Sequence, residues 1–272
     1  MVIWPIVVGF LYHLSMVLTI YTESITFAVR RAPIHPEFVH TIMGHKEPLE
    51  PIAFDLETQG LLMHDEITVS GLRFPVGALV LLNTNGRSVP EKLETRVREK
   101  SGLDMVKVHI CDSERDLLER LGKEAEERLR GKNRMLVAFN GETWRGGFDL
   151  SFLRTRCGFN DVPWPFDDIP YADLMPIVQK RVHTTVDGKD SPTQIGDLCG
   201  AYDALIGGDH CDPYEDSSEA VTADYDGDWE SLVLHNVADI NRTQQLADWM
   251  QRYVPASDFN LKNLGPPLGG RW

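Results

Sequence analysis

The chain has 272 residues, enough for one large domain or two small ones, and its 42% hydrophobic content excludes disorder as the default interpretation. Its 41 acidic against 27 basic residues give a formal net charge of -14, so its surface as a whole repels polyanions, unlike that of most nucleic-acid-binding proteins. Bound divalent cations would offset this charge locally. A halophilic origin would also make the acidic surface compatible with a polyanionic partner, since salt at 1 M screens charges over about 3 Å.

The four cysteines are far apart and form no CxxC pair, so the sequence favours neither a disulfide framework nor a zinc site. A reduced, cytoplasmic protein is therefore expected.

Residues 1–22 are almost uncharged and match the roughly 20 residues of a membrane-spanning helix. As an anchor, with Arg30 and Arg31 following it, this segment would leave the rest of the chain in the cytoplasm. The alternative, which we favour, is that the start codon has been assigned too far upstream and that the protein begins at Met43. We therefore divide the chain into a hydrophobic extension (1–42), one domain (43–255) and a tail (256–272).

From residue 51 the hydrophobic pattern alternates between strands and helices, which predicts an α/β fold. The predicted strands cover residues 52–56, 72–82 with a bend at Gly77, 105–111, 135–139 and 171–174. The predicted helices cover residues 114–130 after a Ser113 cap, 149–156, 191–205, and 228–255 with Asp228 as cap. The glycine- and acid-rich stretch at 207–227 is expected to be a mobile loop.

The first predicted strand carries two acidic residues, Asp55 and Glu57, among apolar neighbours. Residues two apart on a strand point to the same face, so the two carboxylates should stand side by side. Unpaired charges in such a strand would cost several kcal/mol each, and Mg²⁺ or Mn²⁺ would compensate them. An exposed edge strand, which needs no ion, is the simpler alternative.

Two later segments add acidic residues. Asp149 begins a predicted helix, where aspartate most often acts as an N-cap. His235 and Asp239 are four residues apart on the last helix and so share a face, an arrangement that an ordinary ion pair would also explain.

In this order the three segments resemble the DEDD superfamily of 3'-to-5' exonucleases, and in particular predicted exonucleases related to the proofreading domain of family B DNA polymerases. The resemblance covers roughly residues 51 to 250. It rests on the DxE pair, on an asparagine (Asn140) followed by FDxxFL, and on a helix with histidine before its aspartate. It implies a ribonuclease H-like fold, with a mixed central sheet flanked by helices.

The resemblance also implies a role for each acidic residue. Asp55, Glu57 and Asp239 would hold one Mg²⁺ or Mn²⁺ ion, Asp55 would bridge to a second, and Asp149 would support the second through water. Two such ions activate a water and stabilise the leaving oxygen of a phosphodiester. His235 would be the general base, and the substrate would be the 3' end of DNA or RNA.

The sequence departs from the family in two places. Three residues separate His235 from Asp239, the spacing of the branch that carries tyrosine, so three roles stay open for His235: water activation, phosphate binding or metal ligation. The turn after Asn140 is longer than usual. There Trp144 would stack on a terminal base and Arg145 would contact a phosphate, although Trp144 packing on its own loop explains it equally well.

Asp173, at the end of a predicted strand, is expected to support the site indirectly. Two other functions fit the sequence less well. A non-catalytic nucleic-acid-binding or scaffold protein would have no reason to keep mutually repelling carboxylates. A ribonuclease H-like endonuclease or resolvase is disfavoured by the helix that carries His235 and Asp239. No stable protein partner is predicted.

Overall fold

The computed structural model describes residues 48–142, 147–187, 191–208, 211–216 and 218–265. The hydrophobic extension (1–42), Trp144 and Arg145 lie outside these ranges, so the predictions made for them stay predictions. The chain from Pro48 onward forms a compact unit of its own. Within the described ranges, no helix combines the length and the apolar character needed to cross a membrane.

A mixed sheet of seven strands forms the centre of the fold. Its strands are β1 (Glu50–Thr58), β2 (Ile67–Phe74), β3 (Gly77–Asn83), β4 (Val106–Cys111), β5 (Arg134–Ala138), β6 (Pro170–Asp173) and β9 (Lys262–Asn263), in the order β4-β3-β2-β1-β5-β6-β9. β1, β2 and β3 form an antiparallel meander, β4 runs parallel to β3, and β5 and β6 run parallel to β1. Two short strands, β7 (Thr185–Val186) and β8 (Thr193–Gln194), pair separately.

Helices cover both faces of this sheet. They are α1 (Leu93–Ser101), α2 (Glu114–Arg128), α3 (Asp149–Asn160), α4 (Leu174–Arg181), α5 (Leu198–Leu205), α6 (Ser218–Asp226) and α7 (Trp229–Tyr253), followed by a 3-10 turn at Ala256–Phe259. Apolar residues of α2 and α3 pack on one face, and those of α1, α4, α5, α6 and α7 pack on the other. The predicted α/β fold is confirmed, and it is consistent with a ribonuclease H-like fold.

The two faces of β1 belong to different halves of the core. Ile52, Phe54 and Leu56 are buried with α2 and α3, whereas Ala53 is buried with α7. Because side chains alternate along a strand, Asp55 and Glu57 point to the same side as Ala53. The two carboxylates are thus directed toward the longest helix of the fold.

Several boundaries agree with the sequence prediction. β1, β4, β5 and β6 occur where strands were predicted, and α2 and α7 occur where helices were predicted. Ser113 accepts a hydrogen bond from Asp116 N, and Asp228 accepts one from Ser231 N, so both predicted caps are present.

Four predicted elements differ from the structure. The single strand at 72–82 is wrong, because Pro75 and Val76 form a turn that divides it into β2 and β3. The helix expected at 191–205 begins only at Leu198, capped by Asp197, since β8 pairs with β7 before it. The loop expected at 207–227 contains α6. The described part of the expected tail contributes the 3-10 turn and β9, which pairs with β6.

A buried ion pair joins α2 and α3 beneath the sheet. Arg156 Nε and Nη2 donate to the two Glu114 carboxylate oxygens at 2.8 and 2.6 Å, and Ile67 N donates to Glu114 Oε1 at 2.9 Å. Asn160 Nδ2 also donates to this carboxylate, at 2.6 Å. All donors to Glu114 would lose their acceptor if its side chain were shortened.

We therefore expect Glu114→Ala to lower the free energy of unfolding by about 3–5 kcal/mol, because it leaves the Arg156 guanidinium buried without its counterion. The matched control is Glu119→Ala on the same helix, whose exposed pair with Arg115 contributes less than about 1 kcal/mol. Urea unfolding of both variants measures the difference. Equal losses would contradict the structural role given to Glu114.

Candidate metal centre

The DxE pair of β1 lies against α7, as the alternation of the strand requires. Glu57 is buried, and Asp55 is partly exposed. Asn236, on α7, donates from Nδ2 to Asp55 Oδ2 at 2.9 Å, although the two residues are 181 positions apart in sequence. β1 pairs with β5 from Glu50 to Ala53, so these carboxylates follow the last paired residues of that ladder.

His235 and Asp239 occupy the face of α7 that meets β1. His235 Nε2 lies 3.8 Å from Glu57 Oε1 and 3.9 Å from Asp239 Oδ2. Ligand atoms of Glu57, His235 and Asp239 all lie within 4.8 Å of one another. The helical spacing thus brings the two α7 groups to the carboxylate of β1.

Asp149 joins the same group from the other face of the sheet. It is the first residue of α3 and is buried, and the cap position belongs to Phe148, which makes no side-chain capping bond. The Leu56 backbone forms a hydrogen bond to the Asp149 carboxylate. The same carboxylate also accepts a hydrogen bond from the backbone N–H of Asp149 itself, so it lies where the start of α3 meets β1.

The electrostatics of the cluster reflect burial and like charge. Burial, together with the charges of Glu57, Asp149 and Asp239, raises the pKa of Asp55 well above its ordinary value. Burial raises the pKa of Glu57 to about 7 despite the attraction of His235. Burial and the charge of Glu57 raise the pKa of Asp149 to about 8. Burial also raises the pKa of Asp239, against the opposing effect of His235 and Arg242.

Asp212, which the sequence analysis did not single out, makes direct contact with this group. Its Oδ1 lies 2.8 Å from His235 Nδ1, and its side chain is 3% exposed. Burial alone would raise the pKa of Asp212, but the hydrogen bond and charge of His235, with hydrogen bonds from Arg242 and the Tyr214 backbone, lower it to about 2. Tyr214, two residues later, stacks at a tilt on the His235 ring with centroids 5.2 Å apart. The segment expected to be part of a mobile loop therefore encloses the histidine.

Arg242 connects the second carboxylate oxygen of Asp212 to Asp239. Its Nη1 donates to Asp212 Oδ2 at 2.7 Å and to Asp239 Oδ1 at 2.6 Å. Burial disfavours a charged His235, but the hydrogen bond to Asp212 and the attraction of Glu57 and Asp239 outweigh it and raise the pKa of His235 to about 9. Arg242 was not predicted to belong to the site. Its position three residues after Asp239 on the same helix was the sequence feature that could have indicated this ion pair.

Gly71 provides the space in which α7 approaches β1. It is the β2 partner of Asp55, and a Cβ atom there would lie 2.0 Å from Asn236 Oδ1 and 3.1 Å from Ile240 Cγ2. Neither Gly71 nor Asn236 was predicted to belong to the site. A glycine inside a strand often marks a close approach, but the strand predicted at 72–82 left Gly71 just outside it.

Asn140 and Asp173 organise the neighbouring turn. Asn140 has a left-handed backbone with φ of 63° at the end of β5, and its backbone N–H donates to Asp173 Oδ1 at 2.9 Å. Asp173 also accepts from Glu142 N at 3.2 Å and from Met175 N at 3.2 Å, which caps α4. Asp173 thus fixes the backbone of residues 140–142 after β5. The substrate contact predicted for Asn140 stays a prediction.

The carboxylates of this group fit a hard divalent cation, because Mg²⁺ and Mn²⁺ prefer oxygen ligands. Imidazole is a more usual ligand of zinc, copper or iron, so His235 by itself does not favour Mg²⁺ or Mn²⁺. Glu57, His235 and Asp239 could together hold one ion, since their ligand atoms lie within 4.8 Å of one another. An ion would relieve the repulsion that raises the carboxyl pKa values.

Comparison with known proteins adds no assignment: no family model and no curated protein matches the chain.

The raised pKa values predict that the metal-free protein loses stability as pH rises. Glu57 has a pKa of about 7 in the folded protein and 4.5 in the unfolded chain, and Asp149 has a pKa of about 8 in the folded protein and 3.8 in the unfolded chain. Between these values the unfolded chain has released a proton that the folded protein still holds, so a rise in pH favours unfolding. His235, raised from 6.5 to about 9, stabilises the fold below 6.5, and this contribution disappears as pH rises through 9. Asp212 acts oppositely, but only below pH 3.8.

Denaturant unfolding of chelator-treated protein should therefore give a lower free energy at about pH 8.5 than at about pH 5.5, and Mg²⁺ or Mn²⁺ should restore it at the higher pH. Glu57→Gln, which removes one of the titrating groups, should show a shallower fall. A metal-free protein equally stable at both pH values would refute the charge crowding described above.

Gly71→Ala should lower the free energy of unfolding by about 1–3 kcal/mol, because its Cβ displaces Asn236 and pushes α7 from β1. Divalent-ion binding, measured by calorimetry, should weaken in parallel, since Asp55 loses its hydrogen bond. Gly122→Ala is the matched control: an added Cβ on that helical glycine meets no atom within 4 Å, so stability should rise by about 1 kcal/mol. Unchanged ion binding in Gly71→Ala would contradict the role assigned to Asn236.

Proposed function

We propose that this protein is a metal-dependent 3'-to-5' exonuclease that hydrolyses phosphodiester bonds at the 3' end of a nucleic acid by a two-metal mechanism. One observation carries the proposal. Acidic side chains from β1, α3 and α7, three distant parts of the chain, interact with one another, and two of them, Glu57 and Asp239, lie 3.8 and 3.9 Å from His235 Nε2. These residues are the ones that the DEDD resemblance selects.

The charge balance of this cluster supports a site for cations. Asp55, Glu57, Asp149 and Asp239 interact with one another, and the neighbouring bases are His235 and Arg242. Such crowding is costly in a purely structural cluster. Bound Mg²⁺ or Mn²⁺ ions would polarise the phosphodiester, lower the pKa of a water and stabilise the leaving oxygen.

The protein's own groups would divide the work. Glu57 and Asp239, with Asp55, would hold the ion nearest His235, and Asp55 and Asp149 would hold the second ion. Asn236 keeps the Asp55 carboxylate oriented through its 2.9 Å hydrogen bond. The fixed backbone of β1 and α7 holds the carboxylates in position before substrate arrives, which limits reorganisation during the reaction.

His235 is placed to handle the proton of the attacking water. Its Nε2 faces Glu57 and Asp239, while its Nδ1 is engaged by Asp212. Cations bound to Glu57 and Asp239 would cancel the attraction that holds the imidazole proton, so the ring would become neutral and able to accept a proton. Water activation is the role that we assign to His235, and the same contacts would also suit metal ligation, because Glu57, His235 and Asp239 could share one ion.

The segment after β1 offers apolar surface for nucleobases. Leu61, Leu62 and Met63 are all exposed, and the segment is tied to α3 by a hydrogen bond from Arg156 Nη1 to Met63 O at 3.1 Å. Apolar contact with the base faces is independent of sequence and of net charge. It would help a chain of net charge -14 to hold a polyanion near its acidic centre.

A 5'-labelled single-stranded oligonucleotide, as DNA and as RNA, tests the proposal. We expect shortening from the 3' end only with Mg²⁺ or Mn²⁺, and no cleavage of a circular strand, which has no end. Asp239→Asn should reduce the rate more than about 100-fold, beyond the loss typical of residues that only support a ligand. The control is Asp226→Asn, an exposed residue on α6.

The outcomes separate the alternatives. Cleavage of the circle would favour an endonuclease. A folded protein that binds Mn²⁺ but shortens neither strand would refute the exonuclease and leave a nucleic-acid-binding or scaffold role. Equal loss of activity in both variants would show that the effect of Asp239 is not specific.

A further inference from the structure

We infer that Asp212 is a positioning residue for the proposed reaction: together with Arg242 it fixes the tautomer and orientation of His235, so that the unprotonated nitrogen of the neutral ring faces the carboxylates. This inference deepens the proposed function and rests on it for its catalytic meaning, while the orientation of the ring rests on contacts alone.

The first contact is between Asp212 and the far side of the imidazole. Asp212 Oδ1 lies 2.8 Å from His235 Nδ1, a normal hydrogen-bond distance. An ionised carboxylate only accepts hydrogen bonds, so Nδ1 must carry the proton. In the neutral ring the other nitrogen, Nε2, then has a free lone pair.

The second contact is between Arg242 and the other carboxylate oxygen of Asp212. Arg242 Nη1 donates to Asp212 Oδ2 at 2.7 Å, and arginine has no acceptor. The oxygen on that side must therefore remain an acceptor. Because Arg242 is itself buried and also bonded to Asp239 Oδ1, the carboxylate, the imidazole and a predicted metal ligand form one connected unit.

The third contact restrains the ring itself. Tyr214 packs on His235 with centroids 5.2 Å apart, and Cys211 Sγ lies 3.8 Å from Leu234 O, the residue before His235. The segment that carries Asp212 is thus docked along α7. His235 is held from one side by this segment and faces Glu57 and Asp239 with the other.

Asp212→Asn tests the inference with almost no change in size. Asp212 Oδ2 accepts from Arg242 Nη1 at 2.7 Å, and Oδ1 accepts from Tyr214 N at 3.1 Å as well as facing His235. Because the hydrogen bond from the charged guanidinium is the stronger of the two, the Asn oxygen would turn toward Arg242 and its NH₂ toward His235 Nδ1. That group is a donor, and the neutral ring would then move its proton to Nε2. The substitution is expected to reverse the tautomer, so the nitrogen that faces the carboxylates could no longer accept a proton.

The tautomer is measured by long-range ¹H–¹⁵N correlation NMR on the full chain with ¹⁵N-labelled histidine. Spectra are recorded with Mg²⁺, and without it at a pH high enough to make the ring neutral, and His235→Gln assigns the signals. We expect a protonated Nδ1 in the wild type and a protonated Nε2 in Asp212→Asn. The kcat for 3'-end cleavage should fall at least about tenfold, with KM unchanged because Asp212 is not expected to touch substrate.

Asp216→Asn is the matched control on the same segment. Its exposed side chain accepts a hydrogen bond from Ser218 N, which asparagine can also do, so both spectrum and rate should match the wild type. A wild-type ring with its proton on Nε2, or an unchanged tautomer in Asp212→Asn, would overturn the inference. The wild-type spectrum decides even if the variant does not fold. A protein with the expected tautomer but no cleavage would refute the exonuclease and not the positioning.

Discussion

The structure depends on one constraint: several carboxylates are held together where water screens them poorly. Asp55, Glu57, Asp149 and Asp239 each have a raised pKa, with burial as the first cause. Neighbouring features reduce this cost in part, through the amide of Asn236, the cations His235 and Arg242, and the backbone of Leu56. Acidic groups still outnumber basic ones in this cluster, and hard divalent cations would make up the difference.

The parts of the site that the sequence could predict follow from the spacing of residues within a single strand or helix. Asp55 and Glu57 are two residues apart and so lie on one side of β1, and His235 and Asp239 are four residues apart and so lie on one side of α7. Both patterns depend only on the element that contains them. The α/β class was predictable for the same reason, because strands and helices alternate clearly after residue 51.

The parts that could not be predicted depend on contacts between elements. Asp212 lies in a stretch whose glycines and acids resemble a solvated loop, and only Arg242 and His235, both on α7, give it a buried role. Gly71 lay just outside the strand predicted at 72–82, and the packing of Asn236 against it explains why a glycine is needed there. The division of residues 72–82 into two strands likewise follows from pairing within the sheet rather than from hydrophobic alternation.

The wide separation of β1 and α7 along the chain has a consequence for biosynthesis. A nascent polypeptide emerging from the ribosome presents the DxE strand long before the helix that carries His235 and Asp239. Until that helix is released and docks on the strand, the cluster lacks His235, Asp239 and Arg242. The topology therefore makes assembly of the acidic cluster depend on translation through at least Arg242.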